Sequence, residues 1–188
     1  MSFPALPEKN LQGFDNQRSA LMTEAKADRM KGDETTSDGS TPSEENMEYF
    51  VKKGPYKTES LNIRSIKLYA DGALGSRGAC LIHEYSDDPG NFGFLLNKPQ
   101  RLKEICKLAF ENNYQVNTHA IGDSANRIML NIYAEFLKGK NDNRWRIEHA
   151  QVVDAVDFEL FKQFSIVPSV QPTHATSDMY WADKRLGD

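Results

Sequence analysis

From about Met47 onward the chain repeats one unit, a short apolar run that ends in polar residues and leads into an amphipathic stretch. That rhythm constrains the fold more than any other feature. Residues 63–71 read as a strand that ends at a glycine turn. Leu102, Ile105, Cys106, Ala109 and Phe110 fall at i, i+3, i+4, i+7 and i+8, which predicts a helix over 100–112. A second strand is expected at 114–119. Asp123 then opens a helix on which Ala125, Ile128, Met129, Ile132 and Phe136 keep the same spacing. Residues 144–149 form the next strand. Asp154 and Asp157 suit the N-cap and third position of a further helix carrying Val156, Phe158, Phe161 and Phe164. A last strand spans 166–170. Strand–helix alternation with short connections implies an α/β fold built on a parallel sheet.

The first 46 residues are different. The run 33–46, DETTSDGSTPSEEN, has no aliphatic or aromatic residue, so it cannot bury enough apolar surface to offset the entropy of ordering. Before it, helix formers carry only a thin apolar face of Leu21, Met22 and Met30. The expected organisation is a poorly ordered segment with a polar linker over 1–46 and a barrel-type domain over 47–188. Acidic residues number 27 against 23 basic ones, for a net charge of −4, and no basic block occurs. Nucleic acid and anionic membranes are therefore poor partners. No run approaches the ~20 apolar residues of a spanning helix, and the N-terminus lacks a signal-peptide layout. Cys80 and Cys106 are too few for a disulfide framework and too far apart for a CxxC pair, which points to the cytoplasm.

Polar clusters collect at four strand ends: KLYADGALGSRG after the first, THAIGD, RWRIEHAQ, and PSVQPTHATSDMYWADKRLG. The rim at strand ends is where parallel α/β folds place their chemistry. Only four histidines occur, and His119, His149 and His174 all sit at such ends. His119 and His149 are about 30 residues apart, the span of one βα unit, which makes them neighbours on one rim. Period-two alternation puts Lys67 on one strand face with Tyr69 and Asp71, and His119 with Gln115 and Asn117. Neutral imidazole is the commonest zinc ligand. A lysine joins it only without its ammonium charge, which carbamylation removes. His174 suits either substrate contact or a loop-capping bond. Asp178 and Trp181 suit a pocket wall or plain packing. Asp71 and Arg77 suit a rim ion pair, and Asp123 a helix cap. Cys106 lies on the apolar stripe and reads as core, and His83 has no assigned role.

These four strings resemble the amidohydrolase superfamily, and more closely its family-3 type, which includes N-substituted formamide deformylase. The resemblance covers roughly Met47 to Asp188. It implies a TIM (β/α)8 barrel of the metal-dependent hydrolase type, of which this chain carries about strands 4–7. It implies hydrolysis of carbon–nitrogen bonds other than peptide bonds in a small amide or formamide substrate. Lys67, His119 and His149 then take the positions of metal ligands, with a divalent metal, zinc first, and with Lys67 carbamylated. Arg77, His174, Asp178 and Trp181 take substrate-facing positions. The family's HxH pair occurs nowhere in the sequence, and no strand-8 aspartate precedes its end. The expectation is a fragment of an enzyme. The alternative is a catalytically inactive half barrel that at most binds one metal, or self-associates through exposed sheet edges.

Overall fold

The computed structural model describes residues 44–187. The poorly ordered segment expected before Met47 lies largely outside those residues, although a helix, α1 (Glu44–Lys53), already begins inside it. A small hairpin follows, β1 (Tyr56–Lys57) antiparallel to β2 (Asn62–Ile63). The Thr58 hydroxyl holds its turn by accepting from the Leu61 amide at 3.0 Å. The strand predicted over 63–71 is therefore divided at Arg64, and its main part is β3 (Ser65–Tyr69).

Beyond β3 the alternation runs as expected: α2 (Pro99–Glu111), β4 (Gln115–Ala120), α3 (Asp123–Leu137), β5 (Arg146–His149), α4 (Phe158–Gln163) and β6 (Val167–Ser169). Two short helices, α5 (His174–Ser177) and α6 (Ala182–Leu186), lie in the segment after β6. All three neighbouring pairs in β3-β4-β5-β6 are parallel, in the order of the chain. Sequential parallel strands joined by helices are the construction of a (β/α) barrel wall. The fold is α/β with a parallel sheet flanked by helices, as a part of a TIM-barrel hydrolase requires.

One face of the sheet is the core. Ile66, Leu68, Val116, Thr118, Ala120 and Ile147 point into it and are buried. Against them pack Leu102, Ile105, Cys106 and Ala109 of α2, with Ala125, Met129, Leu130 and Tyr133 of α3. Each leucine, isoleucine or methionine among them contributes roughly 1.5–3 kcal/mol on burial. The α2 stripe follows the expected spacing except Phe110, which stays 41% exposed and stacks at the margin against Phe136 and Trp145. Tyr133 is wholly buried and keeps its hydroxyl bonded, donating to the Arg146 carbonyl and pairing with the Thr118 hydroxyl at 2.7 Å. The helix expected after Asp154 departs furthest from its pattern. A 3-10 turn over Ala155–Asp157 precedes α4 and rotates Val156 and Phe158 outward, at 73% and 59% exposed, leaving Phe161 as its buried anchor. Asp154 is the N-cap, accepting from the Val156 amide.

Candidate metal centre

The opposite face of the sheet is polar. Register places Lys67 beside Asn117 and then Arg146, and Tyr69 beside His119, Glu148 and Ser169. Side chains two residues apart on a strand share a face, so Lys67 lies one layer below His119. Arg146 and Glu148 pair on this face at 2.6 Å.

His149 reaches the same face by a different route. Strict alternation would turn it away from its neighbour Glu148. Instead β5 ends in two consecutive left-handed residues, His149 at φ 76° and Ala150 at φ 42°. Such conformations cost about 1–3 kcal/mol each and are kept where surrounding contacts impose them. Here the His149 ring stands edge-on to His119, with centroids 4.6 Å apart. His174, at the start of α5, follows at 5.9 Å from His149. His119 and His149 are thus neighbours on one rim, and His174 lies beside them.

Each imidazole is held by a neighbour. His119 Nε2 faces the Gly72 carbonyl at 3.4 Å and Asp71 Oδ1 at 3.6 Å. His149 Nδ1 lies 2.7 Å from Gln171 Oε1. Burial pushes His119 down to about 4, with repulsion from His149 and Lys67 added and the Gly72 carbonyl opposing. Burial also lowers His149, against the pull of Gln171. Lys67 is lowered by burial first, Glu148 opposing and Arg146 reinforcing. Near neutral pH both rings are uncharged, the state in which imidazole ligates metal.

The substrate-facing candidates lie elsewhere on the rim. Arg77 is not paired with Asp71. It grips the Asp87 carboxylate with two bonds, at 2.8 and 3.0 Å, and Arg185 binds the same carboxylate. Trp181 covers Gly75 and packs on the cluster of Leu74, Ala79, Leu81, Tyr85 and Ile121. Asp178 accepts from Gln151 Nε2 at 2.6 Å. His174 is the one of the four in ring contact with the imidazole pair.

Asp71 has a different place from the one expected. It is fully buried, and its carboxylate accepts from the amides of Cys80, Ile121 and Gly122 at 2.8–2.9 Å. Burial pushes it up to about 6 while the three amides pull the other way. The acid thereby ties the loop after β3 to the loop after β4, directly behind His119. Asp123 opens α3 and bonds the Ile82 amide, a second tie between those loops. Gln171, not singled out from sequence, is the other residue missed. The signal available was its position at a strand end, three residues before His174.

Among the described residues no group of three His, Cys, Asp or Glu side chains could hold a metal ion. His119 and His149 are the two imidazoles brought together here, and Lys67 lies one layer below His119.

Residues 19–188 match the amidohydrolase family, a span that starts well before Met47. The chain belongs to the amidohydrolase family. It is 38% identical over 139 residues to the protein LONG AFTER FAR-RED 3 of Arabidopsis thaliana, covering 73% of this chain and 24% of that protein. It is 36% identical over 134 residues to YtcJ of Bacillus subtilis, covering 71% of this chain and 24% of YtcJ. Crystal structures of metal-dependent hydrolases from Pyrococcus furiosus and Pyrococcus horikoshii superpose with TM-scores of 0.68 and 0.66, at 32% and 34% identity. The superpositions cover 77% and 75% of this chain, and 30% and 29% of those hydrolases. The chain thus spans about a quarter of the length of the curated relatives it matches. No helix among the described residues is long and apolar enough to cross a membrane.

Proposed function

We propose that this amidohydrolase chain supplies the lysine-and-histidine part of a metal site used on carbon–nitrogen bonds other than peptide bonds, and that by itself it binds at most one metal without turnover. The observation that carries the reading is the pair of uncharged imidazoles 4.6 Å apart at the ends of adjacent parallel strands. Each has one ring nitrogen engaged by a neighbour and the other bonded to no described residue. Lys67, one layer below, is the third ligand, and its lowered pKa favours the free amine that carbamylation needs. When bound, zinc or another divalent cation acidifies water and polarises a carbonyl. The chain's residues hold and orient: His119 and His149 present nitrogen, Arg146 neutralises Glu148 beside them, and His174 stands where a small amide substrate would meet the pair. The carboxylates described on this rim are each engaged already, Glu148 by Arg146, Asp71 by backbone amides, and Asp178 by Gln151 and Ser177. That is why the reading stops at binding.

Metal content of the purified, dialysed chain tests it, beside a His119→Ala, His149→Ala double variant. About one zinc per wild-type chain and none in the variant is the expected result. A folded wild-type chain that retains no metal after zinc loading sinks the proposal.

Self-association is the second reading. β3 and β6 are the outer strands of the sheet, each paired on one side only among the described residues, and Val167 and Val170 beside that edge are 39% and 60% exposed. Sedimentation velocity across a concentration series shows a rising mass if the edges pair, and a constant monomer mass if they do not.

A further inference from the structure

We infer that Gln171 is a positioning residue for His149, fixing the ring's tautomer so that Nε2 offers its lone pair to the site. The inference rests on the metal reading above and concerns a residue outside the ligand set.

The argument is a chain of two hydrogen bonds. Gln171 Nε2 donates to the Ser169 carbonyl at 3.1 Å, and this fixes which end of the amide is which. The amide oxygen is then the atom that meets His149 Nδ1 at 2.7 Å. An amide oxygen only accepts, so Nδ1 carries the proton and Nε2 carries the lone pair. Neutral imidazole in water favours the opposite form, with the proton on Nε2. Left to itself, His149 would therefore mostly present a proton where a metal needs electrons.

Several features make Gln171 more than a chance contact. It sits just past β6, whereas His149 ends β5, so the bond spans neighbouring strands at the rim. The left-handed backbone at His149 and Ala150 has already turned the ring from its alternation direction. Among the described residues Gln171 is the one side chain bonded to His149 Nδ1. His119 shows the complementary arrangement: its Nε2 faces two oxygens, Gly72 carbonyl and Asp71 carboxylate, which leaves Nδ1 with the lone pair. The two rings thus present different nitrogens.

The test uses nitrogen-15 NMR of the histidine rings in the full, metal-free chain near pH 7.5, with wild type, Gln171→Glu and Gln171→Met. Wild type and Gln171→Glu, which keep an acceptor oxygen, are expected to show His149 protonated at Nδ1. Gln171→Met is expected to shift the majority to the Nε2-protonated form and to weaken zinc binding about 10–100-fold, with thermal unfolding little changed. A folded Gln171→Met chain that keeps the Nδ1 proton, or that binds zinc as tightly as wild type, overturns the inference. So does a wild-type His149 protonated at Nε2. If the tautomers follow expectation while the wild-type chain takes up no zinc, the metal reading fails and the Gln171 arrangement stands.

Discussion

The two faces of the β3–β6 sheet are made of different chemistry. The outer face, under α2 and α3, is aliphatic and aromatic, and the polar atoms of Thr118 and Tyr133 within it are bonded to each other. The inner face carries Lys67, Tyr69, Asn117, His119, Arg146 and Glu148 in two layers. The first face can be varied only at the expense of stability, because close-packed interiors feel every lost methylene. The second holds charge that contributes little to folding, since its members either neutralise each other, as Arg146 and Glu148 do, or are desolvated, as Lys67 is. In one sheet, then, stability and chemistry are assigned to opposite sides of the same residues' backbone.

The sharpest way to break this division is a pair of substitutions two strands apart. Ile147→Ala removes a fully buried side chain from the outer face and is expected to cost about 3 kcal/mol. Its zinc binding, where the chain is folded, should be unchanged. Lys67→Met on the inner face is expected to leave stability within about 1 kcal/mol of wild type and to abolish the single zinc. Urea unfolding and metal content, measured on both, decide it. A Lys67→Met chain as destabilised as Ile147→Ala would mean that the inner face is structural after all.

The outer face was legible in the sequence because burial writes a period. Leu102, Ile105, Cys106 and Ala109 are spaced at helical intervals, and they are buried as that spacing demands. Positions of the strands and their parallel order followed from the same rhythm. Legibility fails where a residue's partners come from distant points of the chain. Asp71 read as an ion-pair partner for Arg77, six residues on. Its actual donors are the amides of Cys80, Ile121 and Gly122, while Arg77 takes Asp87. His149 could be placed at a strand end, but not on a face, because a left-handed kink and not alternation aims it. Val156 and Phe158 fit a helical stripe on paper, and the 3-10 turn before α4 turned them out. Periodicity reports regular structure, and the site is built where regular structure ends.

A smaller effect is expected where the two faces meet at the rim. Gly122 lies so close to the loop after β3 that a Cβ there would fall on the Cys80 carbonyl. Its amide also fills one oxygen of Asp71. Gly122→Ala should cost about 2 kcal/mol through displaced backbone, and it should disturb His119 as well, since Asp71 stands behind that ring. It is the one substitution expected to lower stability and zinc affinity together. Thermal unfolding beside zinc titration reads both. Loss of stability with zinc affinity intact would show that the Asp71 cradle serves the loops and not the histidine.

The smallest effect concerns the charged cluster at the margin of the helical layer, where Arg127 binds Asp154 and Asp157 at 2.9 Å each. Asp154 is held below the usual carboxylate range, first by the Val156 amide it caps and then by Arg127. A carboxylate with a depressed folded-state pKa stabilises the fold above its unfolded pKa, and that contribution is lost as pH falls through the folded value. Between pH 7 and 5 the melting temperature should therefore not respond to this group. Below about pH 4, the unfolded value for aspartate, the wild type should lose stability faster than Asp154→Asn, which keeps an N-cap acceptor but cannot titrate. Melting curves at pH 7, 5 and 3 for both chains provide the comparison. Parallel acid slopes would mean that the cap's charge adds nothing beyond its hydrogen bond.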